Sequence, residues 1–141
     1  MKKRTITIQT MSKTYSMTGW RLGYLVASKN LVSVIIRAHQ NLVFSPTSFA
    51  QAGGIMALSG PWDDLTRMVT EFNKRREYLY EGLMTMGIPC HKPQGAFYLF
   101  PNISQFGLSS WGFSELLLDK YNVATVPGIE FGKTGEGHIR I

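Results

Sequence analysis

A single cysteine, Cys90, excludes an intrachain disulfide and fits a reducing compartment. It sits in Gly87-Ile88-Pro89-Cys90-His91, a turn in which a small apolar filler is the expected role. Long apolar runs are missing too. No stretch reaches the ~20 residues of a membrane span, and Ile6 and Ile8 alternate with polar residues, unlike a signal-peptide core. Acidic residues are scarce, nine against fifteen Lys and Arg, for a formal charge of +6. A basic balance raises nucleic acid as a partner. Here, though, only Lys2-Lys3-Arg4 and Lys74-Arg75-Arg76 are dense, and no nucleic-acid fold signature or Gly-Arg tract is present. Neither nucleic acid nor membrane is therefore expected, and the spare positive charge suits an anionic ligand. His39 has no second ligand at metal spacing, so no metal site is expected. What remains is a soluble, cytoplasmic protein whose 141 residues suffice for a real core.

The chain is organised around Ser12-Lys13-Thr14-Tyr15-Ser16-Met17-Thr18-Gly19-Trp20-Arg21-Leu22-Gly23-Tyr24. One lysine follows a strand-like run, Thr5 to Thr10. An arginine stands eight residues on, at the start of a second such run, Arg21 to Ala27. A lysine fixed between two strands can present its amine to one point in a cleft. Desolvation or a nearby cation favours the neutral amine, which attacks a carbonyl to form a Schiff base. An arginine supplies that cation and a planar fork suited to phosphate. Thr10, Ser12, Thr14 and Ser16 add hydroxyl donors. By spacing alone, Lys13 also reads as one more solvated cation.

The stretch closely resembles the Schiff-base lysine segment of the class I/II aminotransferases, aspartate- and aromatic-aminotransferase-like enzymes of fold type I that use pyridoxal phosphate (PLP). Their Ser/Thr-x-Ser-Lys, short spacer and Gly-x-Arg-x-Gly-Tyr read here as Thr10-Met11-Ser12-Lys13 and Gly19-Trp20-Arg21-Leu22-Gly23-Tyr24. The resemblance implies that Lys13 is the lysine joined to PLP, and that Thr10, Ser12 and Arg21 bind the cofactor phosphate. Relatives carry this motif past their middle. The chain is therefore expected to be a C-terminal piece of a larger, homodimeric enzyme.

Further along, Ser28 can cap a helix in which Leu31, Val34, Ile35, Ala38 and Leu42 share one face. Pro46 breaks it, and Thr47 or Ser48 caps a second helix from Phe49 to about Leu58. Gly53-Gly54 inside that helix predicts close approach of another backbone. A long helix follows to about Met86, with Pro61, Asp63 and Asp64 at its start and a stripe of Leu65, Val69, Phe72, Arg76, Leu79, Leu83 and Met86. The stripe predicts core. In the resembled family such a helix joins the two domains. The expected division is accordingly 1–70, the end of a PLP-binding large domain, and 71–141, a small C-terminal domain. The fold class is α/β: the end of the large-domain sheet, a long interdomain helix and an α+β small domain. Ala96 to Phe100 and Val123 to Val126 read as strands, Ser104 to Gly112 as a loop, and Phe113 to Tyr121 as a short helix.

Val126-Pro127-Gly128-Ile129-Glu130-Phe131-Gly132 resembles the family's Val-Pro-Gly-x-x-Phe-Gly turn near the active-site mouth. In the Ile139-Arg140-Ile141 run an arginine reads, on its own, as a surface cation. By resemblance Arg140 binds the substrate α-carboxylate, its fork pairing both oxygens. His138 is left out of the site. The implied reaction moves an amino group between an amino acid and a 2-oxo acid. The acid that protonates the pyridine nitrogen, the ring-stacking aromatic and a Gly-rich phosphate loop lie upstream of the lysine in relatives, so these residues alone are expected to be inactive. Another fold type I PLP enzyme (C–S lyase, synthase or decarboxylase) stays open, as does a non-catalytic binding or dimerisation module. The strands between Thr5 and Ala27 are expected to be poorly protected.

Overall fold

The computed structural model describes residues 4–141, and the chain divides into two compact units, Met1–Arg67 and Met68–Ile141. In the first, β1 (Thr7–Thr10) pairs antiparallel with β2 (Gly23–Val26), with Thr7 opposite Val26 and Thr10 opposite Gly23. Threonine, isoleucine, tyrosine and valine suit these strands. Both are shorter than predicted. Arg21 lies outside β2 because its backbone is left-handed, φ 52°, and cannot continue an extended run. At Gly23 an added Cβ would stand 2.6 Å from the Gln9 carbonyl oxygen, so the strands close there only on glycine.

Between the strands come α1 (Met11–Thr14) and a 3-10 turn, Thr18–Trp20. After β2 come α2 (Lys29–Leu42), starting at Ser28, and α3 (Ser48–Ser59), starting at Thr47. The spacing of the predicted α2 stripe is helical, but its burial differs. No α2 residue is buried, Ile35 is half-buried, and Val34 and Leu42 are exposed. The close approach at Gly53-Gly54 is real, but side chains make it. A Cβ on Gly53 would lie 2.6 Å from the Trp20 ring, and one on Gly54 would overlap Leu22. Met11, Met17, Ala50 and Gly54 are buried here.

α4 (Asp63–Thr85) begins in the first unit and continues into the second, with Asp63 and Asp64 in its first turn complementing the positive helix end. Its 23 residues give a length of about 34 Å at 1.5 Å per residue. The predicted stripe is core only near its end. Leu83 is buried, Leu65, Arg76 and Leu79 are half-buried, and Val69, Phe72 and Met86 are exposed.

The predicted strand from Ala96 does not form at its start, since Ala96 has φ 60° and interrupts the extended run. Pairing begins at Leu99, whose N–H donates to the Ile141 carbonyl at 3.1 Å and whose carbonyl accepts from Ile141 N–H at 3.0 Å. The ladder ends with Ile103 N–H on the Gly137 carbonyl at 2.8 Å. On the other edge, β3 (Val126–Pro127) pairs with β4 (Ile139–Arg140), Val126 opposite Arg140. β4 thus has backbone partners on both sides. α5 (Ser110–Tyr121) starts earlier than predicted, because the Ser109 hydroxyl accepts the Gly112 N–H at 3.1 Å and caps it. Leu83, Leu99, Ile103, Ile139, Pro101, Pro127, Ser110, Ser114, Gly128 and Gly135 form the buried set. Among the described residues no helix is long and apolar enough to cross a membrane, and no group of three or more His, Cys, Asp or Glu could hold a metal ion.

Candidate active site

Lys13 is the third residue of α1. Thr10 is the helix N-cap. Its Oγ1 accepts the Ser12 N–H at 3.2 Å and donates to Ser12 Oγ at 3.0 Å. Ser12, accepting from Thr10, keeps its own proton to donate. The Met11 N–H donates to the Leu22 carbonyl at 3.0 Å, and Met11 is buried, so α1 is tied to the chain just before β2. The Thr10–Gly23 pairing and this bond bring Thr10, Ser12, Lys13 and Arg21 to one end of the β1–β2 pair. Arg21 is held within its own turn, its guanidinium donating to the Thr18 carbonyl at 2.9 Å. Ser12 is half-buried, and Thr10, Lys13 and Arg21 are exposed.

Arg140 belongs to the second unit. Its guanidinium carbon lies 4.6 Å from the Tyr98 ring centroid and 4.8 Å from that of Phe131. Contacts to the π-faces of two rings fix the guanidinium, while its N–H groups, which lie in its plane, remain suited to a carboxylate fork. The sequence reading missed both rings. The signal for Phe131 lay in the Val-Pro-Gly turn, but its partner across the sheet is not readable from spacing. His138 stacks on Phe100 with centroids 5.1 Å apart and its Nε2 lies 3.4 Å from Asn102 Nδ2.

A second group was also missed. Glu136 accepts from the Ser110 N–H and the Ser110 hydroxyl, both at 2.8 Å, and Ser110 is fully buried. These two bonds, the backbone one first, hold the Glu136 carboxyl below the usual carboxylate range. The Ser110 oxygen also accepts the Ile129 N–H at 3.3 Å.

A lysine following two capping hydroxyl residues, with an arginine at the same end of the strand pair, on an α/β scaffold, points to a class of protein. The family described as Aminotransferase class I and II matches residues 1–141, and the chain belongs to it. Among relatives, it is 41% identical over its whole length to a probable N-acetyl-LL-diaminopimelate aminotransferase of Bacillus subtilis. It is 43% identical, over 99% of its length, to an aspartate aminotransferase of Pyrococcus horikoshii. The solved structure of an aromatic aminotransferase from Pyrococcus horikoshii superposes on the entire chain with a TM-score of 0.95 at 42% identity. The chain spans about 36% of those two relatives and 38% of that solved chain.

The residues present fit the cofactor the family implies. Two hydroxyls, one bonded to the other and the second with a proton to give, and an exposed guanidinium match a phosphate. A primary amine on the same short segment matches an aldehyde.

Proposed function

We propose that these residues serve a PLP-dependent aminotransferase that moves an amino group between an α-amino acid and a 2-oxo acid. The observation that carries the reading is the gathering of Lys13, Thr10, Ser12 and Arg21 at one end of the β1–β2 pair. Thr10, Ser12 and Arg21 would hold the cofactor phosphate, and Lys13 would hold the cofactor through Nζ. PLP, when bound, supplies an aldehyde that amines can join and a ring that accepts the electron pair released at the substrate Cα. Lys13 would take the substrate Cα proton and return one through Nζ. Arg140 pairs with the substrate carboxylate and so fixes which bond at Cα is presented.

The relatives bear aspartate, aromatic and N-acetyl-LL-diaminopimelate names, so the shared amino-acid and 2-oxo-acid chemistry is the part carried over. Residues 1–70 are read as the end of the cofactor-binding domain and 71–141 as the small domain, a reading supported by the division into two compact units. A cytoplasmic homodimer is the form the family resemblance supports. Turnover by these 141 residues alone is not expected, given that they span about 36% of the curated relatives.

In an active preparation containing these residues, Lys13→Ala is expected to lower kcat by about 10²–10⁴ and to abolish borohydride trapping of PLP. Undiminished turnover or trapping would refute the assignment. Products that do not interconvert two amino donors would favour a lyase, synthase or decarboxylase instead.

A further inference from the structure

We infer that Glu136 is a positioning residue for Arg140, acting through a clasp with Ser110. The inference rests on the reading of Arg140 as the carboxylate-binding arginine.

Arg140 depends on two pieces of chain for its place. Its own strand, β4, is reached through Gly135-Glu136-Gly137, where Gly137 has φ 77° and no side chain to hold the turn. One of its two rings, Phe131, lies on the 3-10 turn Gly128–Phe131 that follows β3. Between β3 and β4, residues 128–138 fold back on themselves. Gly128 N–H donates to the His138 carbonyl at 2.8 Å, and Gly128 packs so tightly on the Gly135 carbonyl that neither glycine has room for a Cβ. Both arms of this excursion are fastened to one point outside it. The Glu136 carboxylate takes two donors from Ser110, and the Ser110 oxygen takes the Ile129 N–H. Ser110 is fully buried at the start of α5, whose N-cap is fixed by Ser109.

The clasp therefore sets the spacing between the arm that carries Phe131 and the arm that leads into Arg140. Removing the carboxylate leaves Ser110 N–H and hydroxyl without their acceptor in a buried place, where an unmet donor is costly. The local remedy is for the 128–138 segment to shift or open to water. Either shift displaces the ring from the guanidinium it faces. The rest of β4 keeps its ladder to Leu99 and Pro101, so the strand persists while its charged residue loses its fixed direction. The consequence falls on substrate binding and not on the amine chemistry of Lys13.

The test compares Glu136→Ala, Glu136→Gln and Ser110→Ala with Arg140→Lys in an active preparation, using L-aspartate and L-tyrosine with their 2-oxo acids. Glu136→Ala and Ser110→Ala are expected to raise KM for both partners about tenfold, the scale of one hydrogen bond to a charged group. Turnover at saturation and borohydride-trappable PLP should stay within about twofold of the parent. Glu136→Gln keeps one acceptor and should fall in between. Hydrogen exchange should quicken at the Gly128 and Ile129 amides and stay slow at Leu99 and Ile141. If Arg140→Lys raises KM while the clasp variants leave it unchanged, Glu136 has no positioning role. If the clasp variants lower only the melting temperature, or lower kcat in step with kcat/KM, the inference is equally refuted. If Arg140→Lys itself leaves KM unchanged, the reading of Arg140 fails first. Should Glu136→Ala not fold, Glu136→Gln and Ser110→Ala decide the matter by the same measurements.

Discussion

The two units hold their candidate residues by different means. Around Lys13 the restraint is local and made largely by hydrogen bonds: the Thr10 hydroxyl N-cap, one backbone bond from Met11 to Leu22, and a four-residue strand pair whose members are all exposed except Leu25. Around Arg140 the restraint is made by packing, with Leu99, Ile103 and Ile139 buried and two rings on the guanidinium. Charge divides along similar lines. Seven of the fifteen basic residues and none of the nine acidic ones precede Asp63. A site for an anionic cofactor can be assembled from capping groups and cations with little core. A site that must orient a carboxylate against a ring needs neighbours from several segments, and so needs a packed sheet.

The strongest way to break this comparison sets strand residue against strand residue. Ile139 is 2% exposed in β4 and Ile8 is 74% exposed in β1. Ile139→Ala should destabilise by about 2–5 kcal/mol, through lost burial and the cavity left behind. Ile8→Ala should stay within about 0.5 kcal/mol. Urea denaturation of both variants measures the difference. Equal losses would mean that Ile8 is covered in solution and that the contrast is false.

A smaller effect tests where the first unit is tight. Gly54 is buried, and a Cβ there would overlap the Leu22 side chain. Gly54→Ala is expected to cost about 1–3 kcal/mol by overpacking, despite alanine's better helix propensity. Leu22 also bonds Met11 through its carbonyl, so amide exchange at Met11 should rise with the loss of stability. A neutral or stabilising Gly54→Ala would show that Leu22 turns aside freely and that α3 does not brace the lysine segment.

How much could be read beforehand follows the same divide. The Lys13 segment lies within fifteen consecutive positions, so its hydroxyls, amine and arginine are visible as a motif. What was missed there is geometric, namely the left-handed turn at Arg21 and the short helix at Met11. Helix positions also came through, since capping residues and 3.6-residue spacing are local signals. Burial did not. The α2 stripe has the right period, yet no α2 residue is buried, because period reports which face is apolar and not what covers it. The Arg140 surroundings were the least readable. Tyr98, Ser110 and Phe131 lie far apart in sequence and meet only through the pairing of β4, and Ala96 to Phe100 was given more strand than its positive φ allows.

The smallest expected effect is the most local and comes from acid. Glu136 is held below its ordinary value chiefly by the Ser110 N–H and hydroxyl. A carboxyl whose folded value is depressed adds stability that is fully present above the unfolded value, about 4.3 for glutamate. That contribution is lost as pH falls through the lower folded value. The stability gap between the parent chain and Glu136→Gln should therefore be constant above about pH 5 and shrink below pH 4. Hydrogen exchange at Gly128 and Ile129 should quicken over the same interval, because protonation removes the charge that Ser110 answers. Exchange at Met11 should show no step there, since no acidic residue occurs before Asp63 and the bonds around α1 are made by hydroxyls and backbone. A matching acid step at Met11 would show that the two units loosen together, and the separation of hydrogen-bond-held from packing-held residues would have to be given up.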